Sequence, residues 1–222
     1  MNSGSQRPPG VVPGGAGTAE RLGLPAADGG EDQPPVELVA VIPGREPRPL
    51  PYGGLVSRPL LFLDVDGPLD PYAAKPERRP EGWTTIRVPA HSRRPLRVWL
   101  NPVHGPALLG LGHDLCRATT WTADANRWIG PVVGLPELPY VDFGTALFAE
   151  RPDGVHRKTE VIVAHAAGRP FAWVDDEQGP ADTVYVGERH PGPALLHHAD
   201  PRRGLREADF AVLREFAAGP AA

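Results

Sequence analysis

The stretch Leu61-Phe-Leu-Asp-Val-Asp-Gly-Pro-Leu69 decides how the rest of the chain is read. Its apolar run, counted from Leu60 to Val65 and interrupted only by Asp64, is short, the pattern of a strand buried on both faces of a parallel sheet. The run ends in Asp64-Val-Asp66-Gly67. In open α/β sheets, ligands bind beyond the carboxyl ends of the strands. Two carboxylates placed there, in a poor dielectric, repel each other unless a metal or a proton relay compensates them. Gly67 permits the sharp turn by which the chain leaves the strand.

Working outward, residues 83–89 and 96–100 read as two strands of a hairpin. Asn101-Pro102 then suits a helix start, with Asn as the cap and Pro at the first helical position. That helix is expected to run to about Leu111 and stop at Gly112. Residues 115–119 are a second core strand, followed by a helix over about 122–133 that ends at Gly134. Residues 140–143 read as a third strand. A helix over 159–167, with Gly168 as its C-terminal cap, leads to an apolar strand at 171–174 that runs into Asp175-Asp176. A last strand at 194–198 precedes a helix over about 206–217, with Phe210, Leu213 and Phe216 on one face. Strands alternating with helices predict an α/β fold. The expected form is a three-layer, Rossmann-like parallel sheet with helices on both faces.

The N-terminal part reads differently. Pro and Gly make up roughly a third of residues 1–57, and such a segment cannot bury enough apolar surface to offset its ordering entropy. It is read as a disordered tail, within which the run 36–42 suits an edge strand. Residues 58–222 form the domain.

Composition bounds the function classes. The 222 residues carry a net charge of −4 and are 41% hydrophobic, so a sizeable core fits and bulk charge argues for neither a nucleic-acid nor a membrane partner. Cys116 is the single cysteine, which excludes an internal disulfide and suits a reducing compartment. No signal-peptide run and no stretch of membrane-spanning length is seen, so a cytoplasmic location is expected.

Several side chains converge on the same chemistry. Asp175-Asp176 follows an apolar strand end, as Asp64 and Asp66 do. Three or four carboxylates at one sheet edge form a hard-oxygen site suited to Mg²⁺. Thr119 ends the 115–119 strand, where its hydroxyl and N–H can hold a phosphoryl oxygen, with Thr120 competing for that role. Lys158 begins a helix, where its ammonium can neutralise phosphate and clustered carboxylates. Each pair or residue taken singly reads as a turn, a cap or a solvated surface group; their joint order carries the signal.

That order, Asp64 and Asp66, then Thr119, then Lys158, then Asp175 and Asp176, resembles the haloacid dehalogenase superfamily. The resemblance implies a magnesium-dependent phosphohydrolase. Asp64 would attack phosphorus and form an aspartyl phosphate. Asp66 would protonate the leaving oxygen and then activate water. Mg²⁺ would be held by Asp64, the Asp66 carbonyl and Asp175 or Asp176. Thr119 or Thr120, with Lys158, would bind the phosphoryl oxygens. An Asp at position 66 points to phosphatase chemistry within that superfamily. Pro68 departs from its usual Thr and removes an N–H donor.

The segment 70–101 is too short for a large helical cap and reads as a flap hairpin, so a capless, open site is expected. The implied partner is a phosphorylated substrate, which an open site allows to be macromolecular; Arg78, Arg79, Arg93 and Arg94 near the flap leave a nucleic-acid end as an alternative, and a non-catalytic binding domain is another. The histidines at 113, 190, 197 and 198 lack zinc-ligand spacing and read as surface or turn groups. Trp121 reads as an anchor for the helix after it, and Cys116 as core packing.

Overall fold

In the computed structural model of the chain, the described residues are 39–44, 58–75, 78–89, 95–148 and 151–219. At the centre lies β2 (Leu60–Leu63), with all four residues buried. It pairs in parallel with β5 (Asp114–Arg117) on one side and β6 (Phe171–Asp175) on the other. Beyond β6 lies β7 (Ala194–His198), also parallel. The outer edge is β1 (Val39–Ile42), antiparallel to β7. The sheet order is therefore β1-β7-β6-β2-β5. β2 and β6 are buried on both faces, as their unbroken apolar runs require.

Alternation along β2 divides the core into two layers. Leu61 and Leu63 face a cluster with Leu108, Ile129, Val133, Phe210 and Leu213. These come from α1 (His104–Leu109), α2 (Gly130–Val133) with the π-wound turn Ala125–Ile129 ahead of it, and α5 (Glu207–Ala218). Leu60 and Phe62 face the other way, toward Ile162, Ala166 and Val186 on α3 (Thr159–Ala166) and α4 (Pro180–Arg189). The architecture is α/β, with a mostly parallel sheet flanked by helices on both faces.

The expected hairpin forms from β3 (Thr84–Val88) and β4 (Leu96–Leu100), antiparallel. It is anchored to the body: Val88, Val98 and Leu100 enter the larger core cluster, and the Trp99 N–H donates to Asp70 Oδ1 at 3.0 Å.

The structure corrects four expectations. The helix after Asn101 begins at His104, because Asn101 Oδ1 accepts the Val103 N–H in a local turn. The helix near 122–133 is π-wound before it is α-helical; Pro131 has no N–H to return to the preceding turn. Residues 140–143 form only a single bridge, Tyr140 to Arg117, rather than a strand. α4 was not anticipated at all. Its start is a Gly179-Pro180 step with Asp182 accepting the Gly179 N–H at 2.7 Å. The run at 36–42 does supply an edge strand, over 39–42; the rest of the expected tail lies outside the described residues, apart from 43–44. No helix among the described residues is long and apolar enough to cross a membrane.

Candidate active site

Parallel pairing of β2 with β6 brings two acids side by side. Leu63 is in register with Val174, and the Asp64 N–H donates to the Val174 carbonyl at 3.0 Å. Asp64 therefore leaves its strand beside Asp175, the last residue of β6. Oxygens of Asp64, Asp175 and Asp176 lie within 4.8 Å of one another. Asp64 is 4% exposed and Asp175 fully buried, so water cannot screen their repulsion.

Lys158 answers that repulsion. Its Nζ donates to Asp64 Oδ2 at 2.6 Å and to Asp175 Oδ2 at 2.9 Å. Its side chain is 2% exposed, so the solvated-surface reading does not hold. The residue sits at the N-terminal cap of α3 and its neighbours are fastened. Buried Asp182 accepts the His156 N–H at 2.8 Å and the Thr159 hydroxyl. Asp182 thus ties the start of α4 to the residues flanking Lys158.

Burial pushes the Asp64 carboxyl well above its usual range; Lys158 opposes that push, while Asp175 and Asp66 add to it. Burial also works against the Lys158 ammonium, but Asp175 and Asp64 outweigh it and hold the proton more firmly than in water. Of the two effects the ammonium is the firmer, because two carboxyls flank it at hydrogen-bond distance. Asp176, beside them, is raised to about 7 by burial and by Asp175. One ammonium among three carboxyls leaves acidic character over. That donor set, oxygen-only and clustered on two strand ends, fits a hard divalent cation such as Mg²⁺.

Further groups complete the edge. Asp175 Oδ2 also accepts the Trp173 indole N–H at 3.2 Å, and Asp175 Oδ1 accepts the Glu177 N–H at 3.0 Å. The Tyr72 hydroxyl donates to Asp176 Oδ2 at 2.9 Å. Gly67, at φ +84°, could not carry a side chain: a Cβ would lie 2.6 Å from the Asp176 side chain. Thr119 is fully buried just past β5, where the Ala118 N–H extends the ladder to the Leu63 carbonyl. Its hydroxyl accepts the Trp121 N–H at 3.3 Å. Thr120, next to it, is partly exposed. The Asp66 carboxyl is turned to Trp121, whose indole N–H donates to Oδ2 at 3.0 Å.

The structure thus brings Asp64, Asp175, Asp176 and Lys158 into direct contact or near-contact, with Asp66 and Thr119 on the adjoining turns. Sequence reasoning missed Tyr72, Asp182 and the polar role of Trp121. It also missed Gln178, whose amide donates to the Trp173 and His197 carbonyls and so braces the ends of β6 and β7. An acid at the third position of a Gly-Pro helix start was a readable sign for Asp182; the Tyr72 and Trp121 contacts span distant parts of the chain, and Gln178 reaches across to the next strand. The histidines at 113, 190 and 197 are buried, not the surface or turn groups expected: His197 pairs with Asp209 at 2.7 Å, His190 Nε2 lies 3.0 Å from the Arg169 carbonyl, and none of the four joins the carboxylate cluster. Cys116 is buried, its thiol pushed up to about 11 by burial. Arg78 and Arg79 are exposed, while Arg93 and Arg94 lie outside the described residues.

Comparison of the chain with known protein families, with curated proteins and with solved structures yields no match.

Proposed function

We propose that this protein is a magnesium-dependent phosphohydrolase of the haloacid dehalogenase type, acting through an aspartyl phosphate on Asp64. The observation that carries the reading is the buried ammonium of Lys158 between Asp64 and Asp175. A purely structural site gains little from burying an ion pair, since apolar residues of similar volume serve stability as well or better. Three acids and a lysine at the carboxyl edge of a parallel sheet are better accounted for by chemistry on an anion.

In this reading Asp64, the Asp66 carbonyl and Asp175 or Asp176 would hold Mg²⁺, which would supply charge neutralisation between the carboxylates and the phosphoryl group. An Asp64 oxygen attacks phosphorus in line. Asp66 gives a proton to the leaving oxygen, and afterwards takes one from the water that releases phosphate. Lys158 and Thr119 hold the phosphoryl oxygens and offset the charge that grows on them. Among the described residues the 70–101 segment forms a hairpin anchored in the core and no large cap, which suits a phosphate carried on a large molecule. Exposed Arg78, Arg79 and Arg87, on and before the hairpin, add positive charge to that segment.

The test is a panel of phosphate monoesters, small and macromolecular, assayed with Mg²⁺ on the full chain and on Asp64→Asn. Turnover with an acid-stable, hydroxylamine-sensitive phosphoenzyme is expected for the wild type, and neither for the variant. Wild-type rates in Asp64→Asn would overturn the mechanism.

A further inference from the structure

An open cavity of about 480 Å³ lies where the residues leading into β3, the helix α1 and the start of α5 meet. That volume is in the range of sites that hold small organic ligands. Its floor is aromatic: the His104 ring lies edge-on to Trp83 at 5.0 Å and to Phe210 at 5.5 Å. Burial holds His104 near 4, so its ring is uncharged at neutral pH. The mouth is cationic. Arg202, Arg203 and Arg206 line it and are exposed, with Glu207 the exposed acid among them. Two further acids lie beneath, their carboxyls largely buried. Asp200 meets Arg202 Nε at 3.1 Å and Arg203 Nε at 3.7 Å, and Asp209 meets Arg206 Nε at 3.9 Å. Asp209 also pairs with His197. One buried carboxylate thus serves two guanidiniums, which leaves positive character at the mouth. The loop that carries the arginines is fastened to the candidate site. The Ala199 N–H donates to the Asp175 carbonyl at 2.9 Å, and the Leu205 N–H to the Pro68 carbonyl at 2.9 Å. Gly204, at φ +67°, is pressed against Trp83, where a Cβ would lie 2.6 Å from the ring.

We propose that this cavity is a binding site for an organic anion that joins a flat ring to a phosphate or carboxylate, as a nucleotide does. The ring lies over the aromatic floor, and the anionic group lies against the guanidiniums at the mouth, whose planar forks match phosphate and carboxylate oxygens. Neither half binds well by itself. An inorganic anion meets only exposed guanidiniums, and exposed pairs contribute about 1 kcal/mol or less. A neutral ring gains the apolar contact and leaves the charge at the mouth unanswered. The occupant is held by the loop that runs on from the Asp175 carbonyl and bonds to Pro68, in the turn after Asp66. The proposal stands on the cavity and its charges and is independent of the phosphohydrolase reading.

Calorimetric titration of the full chain in EDTA tests this, since without a metal the acidic cluster at the strand ends repels anions. The ligands are AMP and 2-naphthoate, with adenosine as the ring alone and inorganic phosphate as the anion alone. We expect AMP, 2-naphthoate or both to bind with a Kd of about 1 mM or tighter, and adenosine and inorganic phosphate at least about tenfold more weakly. Binding of AMP alone narrows the ligand to nucleotides, and binding of 2-naphthoate alone narrows it to aromatic carboxylates. Arg202→Gln with Arg203→Gln removes two exposed charges, which the fold should tolerate, and should weaken the bound ligand about tenfold or more. Ala107→Leu, which fills part of the cavity from α1 and leaves every charge in place, should weaken it as well. No binding of either ring-bearing anion, inorganic phosphate binding as tightly as AMP, or unchanged affinity in either variant would overturn the proposal. No turnover is read, so a negative result leaves the phosphohydrolase reading untouched, and failure of that reading leaves this site untouched.

Discussion

At the carboxyl edge of the sheet, Asp64, Asp175 and Lys158 are buried around a single ammonium. On the flank formed by α1 and α5, His104 and His113 are buried too, but among rings: His104 against Trp83 and Phe210, and His113 stacked on Phe216. Burial lowers both histidines to about 4, against weaker opposition from nearby backbone and acidic groups. The flank thus resolves the conflict between charge and low dielectric by giving up charge. The sheet edge resolves it by cross-pairing and retains acidic character that a cation can balance. The first solution leaves no net charge on the buried rings, and the second leaves acidic groups clustered at the edge.

Breaking the edge should have the largest effect. Lys158→Met keeps the length of the side chain and deletes the charge, leaving Asp64 and Asp175 to face each other at close range in a dry site. Removing one partner of a buried ion pair costs about 3–5 kcal/mol. Part of that is recovered here, because protonating one carboxyl relieves the repulsion. We expect a stability loss of about 3 kcal/mol by urea unfolding at neutral pH, together with loss of turnover by a factor of about 10³. If the proposed site takes Mg²⁺, which would bind only the folded cluster, the stability loss should shrink on adding it. A variant as stable and active as wild type would show that the ammonium matters neither to the edge nor to its chemistry.

The flank should respond to acid instead. The histidines titrate near 6.5 when unfolded and near 4 when folded, so the unfolded chain binds more protons between those values. Their stabilising contribution is therefore complete above about pH 6.5 and is lost as pH falls toward 4. A shift of that size corresponds to at most about 3 kcal/mol per histidine. His104→Phe suits the surrounding rings and should flatten the slope of stability against pH across this window, by up to that amount. An unchanged slope would mean that His104 does not titrate with unfolding.

The two regions were not equally legible in the sequence. β2 and β6 could be read because strands buried on both faces leave continuous apolar runs, and the acids at their ends stood out against those runs. Burial of Lys158 could not be read: it lies in a polar stretch, His156-Arg157-Lys158, and depends on Asp182, which belongs to the next helix. α4 itself shows no clear apolar stripe, with only Asp182 and Val186 buried. The Trp121–Asp66 and Tyr72–Asp176 contacts join residues 55 and 104 positions apart, a separation that only the tertiary fold closes. Residues 140–143 looked like a strand because Val141 and Phe143 are core residues, yet they are buried without a ladder.

The smallest expected effect concerns the sheet's outer edge, where neither charge nor catalysis is at stake. β1 adds four residues against β7, with Val39 and Val41 exposed and Ala40 and Ile42 packed on the smaller core cluster. Past the strand, Gly44 approaches Pro193 so closely that a Cβ would sit 2.8 Å from the ring. A partly buried isoleucine and alanine contribute roughly 1–2 kcal/mol by area, and the entropy of ordering four residues offsets much of it. Composition gives residues 1–38 no periodic apolar pattern with which to add more. Deleting residues 1–44 should therefore lower the stability by only about 1 kcal/mol relative to deleting 1–38, a small shift in Tm. The exposed flank of β7 would also become a free edge, so the longer deletion should self-associate more readily at high concentration. Indistinguishable Tm and association behaviour for the two truncations would show that β1 is not a working part of the sheet. A loss of several kcal/mol would instead place it among the elements that hold β7, and through Gln178 the site itself, in register.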